Sequence, residues 1–132
     1  MEIIVSQMQG RVPVTVFRIE ERVNLGNAKE LEEKARKAFE NGMRDLLIDL
    51  TDVPSLTSAG LRTIHAIYQL LSDAPMERSG EVTHRGLASQ GVKSPHLKLV
   101  NPSPYVLKVL STAGLDMFID IYDNIQDAIA SF

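Results

Sequence analysis

A hydroxyl at the start of a helix has the widest chemical scope of any group in this sequence. Ser58 lies in Thr57-Ser58-Ala59-Gly60-Leu61-Arg62, after the apolar run Leu46 to Leu50 and the turn-forming Thr51-Asp52-Val53-Pro54. Three roles suit a serine there. It can cap the free amides of the helix. It can accept a phosphate, because the same amides and the helix dipole stabilise added negative charge. It can also belong to a docking surface. A phosphorylated serine catalyses nothing; it switches surface charge by about −2. Gly60 is unfavourable in a helix by propensity, so it predicts close approach of another backbone or of a partner at the first turn.

Other chemistry is poorly provided for. Asp49 and Asp52 flank the end of the apolar run, and paired carboxylates can divide acid and base work, but turn chemistry at a strand exit accounts for both. His65, His84 and His96 do not have metal-ligand spacing, so no metal site is expected. No glycine-rich segment has the spacing that cradles a nucleotide phosphate. The chain lacks cysteine, which removes disulfides, thiolate ligands and thiol nucleophiles. No catalytic residue and no cofactor is therefore assigned, and the chain is not expected to be an enzyme.

The elements that must position Ser58 follow from periodicity. Ile3-Ile4-Val5 and Val12 to Ile19 read as two strands joined by a hairpin turn at Gln9-Gly10-Arg11, the second with one buried face. From Asn27 the period becomes helical. Leu31, Ala35, Ala38 and Phe39 share one face, Asn27 with Glu30 has the form of a capping box, and Asn41-Gly42 supplies left-handed residues for the stop. Leu46 to Leu50 is almost continuously apolar, as a parallel strand covered on both faces should be. The helical period returns after Pro54 with Leu61, Ile64, Ile67 or Tyr68, and Leu71. Leu97, Leu99 and Val100 form another strand ended by Asn101-Pro102. Ser103-Pro104 opens a helix with the stripe Val106, Val109, Leu110 and Ala113. Met117 to Tyr122 reads as a last strand, and Asp123 with Gln126 as the cap of a final helix. The expected fold is α/β, a mixed sheet of about five strands with about four packed helices.

At 132 residues the chain is the size of one domain, whose core can bury roughly two-thirds of the unfolded surface. A single domain over 1–132 is expected, with a flexible insertion at 73–95, where Ser, Gly, Pro and charges replace any hydrophobic period. A net charge of −3 offers no basic footprint, which argues against a nucleic-acid partner. No apolar run nears the ~20 residues of a membrane span, so no direct membrane insertion is expected, and the N-terminus lacks the basic and apolar regions of a signal peptide. The expected location is the cytoplasm.

Ile48-Asp49-Leu50-Thr51-Asp52-Val53 followed by Thr57-Ser58-Ala59-Gly60-Leu61-Arg62 resembles the signature of STAS domains, the fold of bacterial anti-sigma factor antagonists and of the cytoplasmic tails of sulfate transporters. The resemblance covers nearly the whole chain. Leu25 to Ala35 is similar to the family's lead-in to its first helix, and Asn101-Pro102-Ser103-Pro104-Tyr105-Val106 with Leu110 to Asp116 to a later segment. Asp120 to Ala130 resembles the acidic strand exit and final helix. The resemblance implies that Ser58 is the phosphoacceptor of a partner kinase that is also the anti-sigma factor. The unphosphorylated protein would bind that kinase and free the sigma factor. Asn24, Thr57, Ala59, Gly60 and Arg62 would form the partner-binding surface. Thr57 stands where well-studied members carry Asp, and Asn24 near the first helix where they carry another. The alternative is a STAS scaffold or transport-complex subunit that works without phosphorylation. A homodimer is left open.

Overall fold

The structure is a computed structural model in which residues 2–72 and 93–132 are described. Of the expected insertion at 73–95, all but Lys93-Ser94-Pro95 lies outside the described residues. Five strands form one sheet: β1 (Ile3–Gln9), β2 (Pro13–Ile19), β3 (Leu46–Asp49), β4 (Leu97–Val100) and β5 (Asp120–Tyr122). Their order in the sheet is their order in the chain. β1 and β2 form the antiparallel hairpin, and β2, β3, β4 and β5 run parallel, so the sheet is mixed as expected. The described helices are α1 (Ala28–Glu40), α2 (Ser58–Ser72), α3 (Pro104–Thr112) and α4 (Ile125–Ser131), with a 3-10 turn at Leu115–Met117.

Two apolar layers sandwich the sheet. On one face Phe17, Ile19, Leu46, Ile48, Leu97 and Leu99 meet Leu31 and Ala35 of α1, Ile64, Ile67 and Leu71 of α2, and Val106 and Leu110 of α3. On the other, Val14, Val16, Leu47 and Val100 meet Ala128 and Ile129 of α4. β3 is buried at every residue, which is why Leu46, Leu47 and Ile48 follow one another without a polar break before Asp49. β2 departs from the expected single buried face. Val14 and Val16 belong to the α4 layer and Phe17 and Ile19 to the other, so the strand is covered on both sides.

Several local expectations are corrected by where side chains find partners. β1 runs on through Ser6, Gln7 and Gln9, because an edge strand keeps its polar side chains in water while its backbone pairs. Asn27 precedes α1 but its side chain makes no cap; the carbonyl accepts from Asn24 N at 2.9 Å and the amide donates to the Arg22 carbonyl at 2.8 Å. At the end of α1 only Gly42 is left-handed, with φ +111°, while Asn41 has φ −91°. The last strand is only Asp120–Tyr122. Gly114 turns the chain at φ +81°, and Phe118 and Ile119 N donate back to the Leu115 carbonyl, which makes Leu115–Met117 a helical turn. The final helix is capped by Asn124 rather than Asp123: its side chain accepts from Asp127 N at 2.8 Å and donates to Asp127 Oδ2 at 2.9 Å. Ser103 does cap α3, accepting from Val106 N at 3.2 Å, with Pro104 in the first turn.

Candidate functional site

The β3–α2 connection is held at three points, and together they fix where Ser58 sits. At the end of β3, Asp49 Oδ1 accepts from Thr51 N at 3.0 Å, closing an Asx turn. One residue further, Asp52 Oδ2 takes two hydrogen bonds from Arg18 of β2, at 2.6 and 2.9 Å. The hydrogen bond and charge of Asp52 raise the pKa of the Arg18 guanidinium above its ordinary value. Asp49 is thus spent on the turn, as the turn-chemistry reading requires, while Asp52 ties the connection to β2 through Arg18.

The third point ties this connection to the one between β2 and α1. Val23 forms an isolated parallel bridge with Leu56. Val23 N donates to the Ser55 carbonyl at 3.2 Å, and the Val23 carbonyl accepts from Thr57 N at 3.0 Å and from Thr57 Oγ1 at 3.3 Å. Val23, Val53 and Leu56 are buried beneath these bonds. Asn24 follows Val23 directly. Its side chain accepts from Gly26 N at 2.9 Å and its carbonyl accepts from Ala28 N at 2.8 Å, which leads the chain into α1. Asn24 and Thr57, far apart in sequence, therefore belong to one patch.

Ser58 is the first residue of α2 and is exposed. It is not the residue before the helix: Leu61 N donates to the Thr57 carbonyl at 2.9 Å, so the capping position falls to Thr57. Among the described residues the Ser58 hydroxyl has no hydrogen-bond partner. Of the other residues expected at the surface, Thr57 and Arg62 are exposed, Asn24 is half-buried, and Ala59 and Gly60 are buried. Gly60 has an internal reason to be glycine. A Cβ built on it would lie 2.6 Å from Leu56 Cδ1 and 3.0 Å from Val23 Cγ1. The close neighbours at the first turn are thus side chains of the two connections themselves.

Beside Ser58 a groove of about 700 Å³ runs between α1 and α2, lined by Leu25, Lys29, Arg36, Ala59, Arg62 and Thr63 among others. Thr63 fastens its floor, donating from Oγ1 to the Ala28 carbonyl at 3.2 Å. Two residues here escaped the reading of the sequence. Leu25, at 80% exposure, puts a large apolar side chain at the groove's rim; an apolar residue between Asn24 and Gly26, outside any helical period, was its signal. Val23, the tie between the connections, carried no signal, since its partners lie in another segment.

The histidines serve elsewhere. His65 is exposed on α2 and stacks on Tyr68 at 5.9 Å between ring centres. His96 Nδ1 lies 2.9 Å from Asp45 Oδ1. His84 lies outside the described residues. Among the described residues no group of three or more His, Cys, Asp or Glu could hold a metal ion, and no helix is long and apolar enough to cross a membrane.

Comparison with known proteins follows the same lines as the geometry. The STAS domain family model matches residues 5–76, more than half of the chain and all of the patch around Ser58. No curated protein sequence matches the chain. A crystal structure described as an anti-sigma factor antagonist from Thermotoga maritima, 25% identical, superposes with a TM-score of 0.65 over 87% of this chain and 83% of that one. An anti-sigma factor antagonist from Mycobacterium paratuberculosis, 21% identical, gives a TM-score of 0.72 over 98% of this chain and 92% of its own. The Bacillus cell fate determinant SpoIIAA in its phosphorylated form, 16% identical, gives 0.62 over 97% and 96%. The last two likenesses are of fold alone.

Proposed function

Given that the chain belongs to the STAS domain family, we propose that it is a partner-switching regulator that binds an anti-sigma factor or serine kinase through the patch around Ser58, with Ser58 as phosphoacceptor. A STAS fold is typically a non-enzymatic regulatory binding module. The observation that carries the proposal is the placement of Ser58: an exposed hydroxyl on the first residue of a 15-residue helix, bordered by Thr57, Asn24 and the α1–α2 groove. Phosphate added there gains the helix dipole and the unbonded amides of the first turn. Arg62 follows one helical turn later and offers the new charge a partner. To a docked protein, the same phosphate presents bulk and about two negative charges in the middle of the contact, which opposes binding. In this reading Ala59 contributes to the groove wall, and Gly60 lets the connections pack closely enough to present Thr57 and Ser58. The module works in the cytoplasm, where a serine kinase finds ATP.

The second reading, a STAS scaffold or transport-complex subunit that needs no phosphorylation, is favoured by Thr57 and Asn24. Neither supplies a carboxylate, and both side chains are engaged in shaping the connections. Pull-down with the cognate kinase separates the two. Partner switching requires that Ser58→Ala binds like the wild type, that Ser58→Asp loses binding, and that kinase with ATP adds one phosphate, located by mass spectrometry at Ser58. Equal binding by both variants with no phosphate at Ser58 rejects the switch in favour of the scaffold.

A further inference from the structure

The first strand offers a surface that the patch around Ser58 does not use. Among the described residues β1 ends the sheet and pairs with β2 alone. Its ladder runs unbroken from Ile3 opposite Ile19 to Gln9 opposite Pro13, so no bulge bends the outer edge away. The bonds that flank the ladder fix which backbone groups face outwards. Glu20 N donates to the Glu2 carbonyl, and Gly10 N to the Val12 carbonyl. Because bonded and non-bonded pairs alternate in an antiparallel ladder, the even-numbered residues bond to β2. The amides and carbonyls of Ile3, Val5, Gln7 and Gln9 therefore point outward. The strand has no charge, no proline and no glycine, devices that ordinarily blunt such an edge. Ile4, Val5 and Met8 are 48%, 44% and 39% exposed.

We propose that β1 is a self-association edge, through which two copies of this chain pair antiparallel across a two-fold axis and join their sheets. The outward groups select the register. Centring the axis on Ser6 engages all four outward residues, with Ile3 of one copy opposite Gln9 of the other and Val5 opposite Gln7. Ile4 then meets Met8 on both sides of a small Ser6 pair, so apolar faces apolar. Glu2 lies opposite Gly10, beside Arg11 of the other copy, and symmetry repeats this charge match. Such self-complementarity argues for a second copy as the occupant. Seven residues span about 24 Å. That places the contact below the ~1,200 Å² of stable interfaces, so the dimer is weak and exchanges.

The absence of cysteine makes the register testable in the full chain. A non-bonded antiparallel pair holds its Cα atoms about 4.5 Å apart, within the ~4.4–6.8 Å that a disulfide spans. Under mild oxidation Ser6→Cys should form covalent dimer at least about tenfold faster than Lys34→Cys on the exposed side of α1, because pairing raises the local thiol concentration. In sedimentation, wild type and Ser6→Ala should shift towards dimer at near-millimolar concentration, and Ser6→Lys, with like charges across the axis, should stay monomeric. Monomeric wild type throughout that range, or equal rates for the two cysteine variants, overturns the proposal. Faster cross-linking of Val5→Cys than of Ser6→Cys overturns the register. These results are independent of any phosphate at Ser58.

Discussion

Replacing Gly60 by alanine tests whether the packing of the two connections, rather than helix preference, determines the residue at that position. In an open helical position the change stabilises by about 1 kcal/mol. At Gly60 the new methyl would meet Leu56 Cδ1 at 2.6 Å and Val23 Cγ1 at 3.0 Å. Leu56 is buried and Val23 is β-branched, with little freedom to withdraw. Overpacking of this kind costs about 1–3 kcal/mol, which leaves a net loss of up to about 2 kcal/mol. For a domain of this size 1 kcal/mol corresponds to roughly 4 °C in Tm. Urea unfolding should therefore show Gly60→Ala with a lower midpoint and an unchanged slope. A double-mutant cycle supplies the stricter measurement. Leu56→Ala alone should cost about 2–5 kcal/mol. In that background the Gly60 methyl occupies part of the vacated space, so Gly60→Ala should become neutral or stabilising by up to about 1 kcal/mol. Stabilisation of the wild-type background by about 1 kcal/mol, or a cycle that closes additively, would refute the reasoning.

Two further changes probe how the helices are anchored. Asn124→Ala removes both the cap of α4 and the reciprocal bond to Asp127, and should lower the unfolding free energy by about 1 kcal/mol in urea titration. Lys98, buried in β4, donates from Nζ to the Ser131 carbonyl and to Ser131 Oγ, each at 3.0 Å. Lys98→Met keeps the chain length and loses those bonds, so amide exchange should accelerate across Ile125–Ser131 while β3 and β4 keep their protection.

How much the residues disclosed depended on the range of the interaction concerned. Leu46 to Leu50 was legible because burial on both faces of a parallel strand leaves only one kind of sequence. The stripes of α1 and α2 were legible because a 3.6-residue period has few other causes. Met117 and Phe118 misled for the complementary reason. Both are apolar beside the true strand, yet both are exposed, and only the Gly114 turn shows that the chain is still helical there. Asn27 misled because an Asx residue before a helix has several amides within reach, and it serves Asn24 instead of α1. At the candidate site, the helix start at Ser58 was readable from local residues. Its assembly with Asn24 through Val23 was not, since Val23 and Thr57 are 34 residues apart and nothing in either neighbourhood names the other.

That join gives Ser58 a property no peptide around it shares. The patch consists of one connection braced by another, and it is complete only while Val23 holds Thr57. A protein that recognises this mosaic inspects the folded state of its target in the same act, and damaged or nascent chains are passed over without a separate checkpoint.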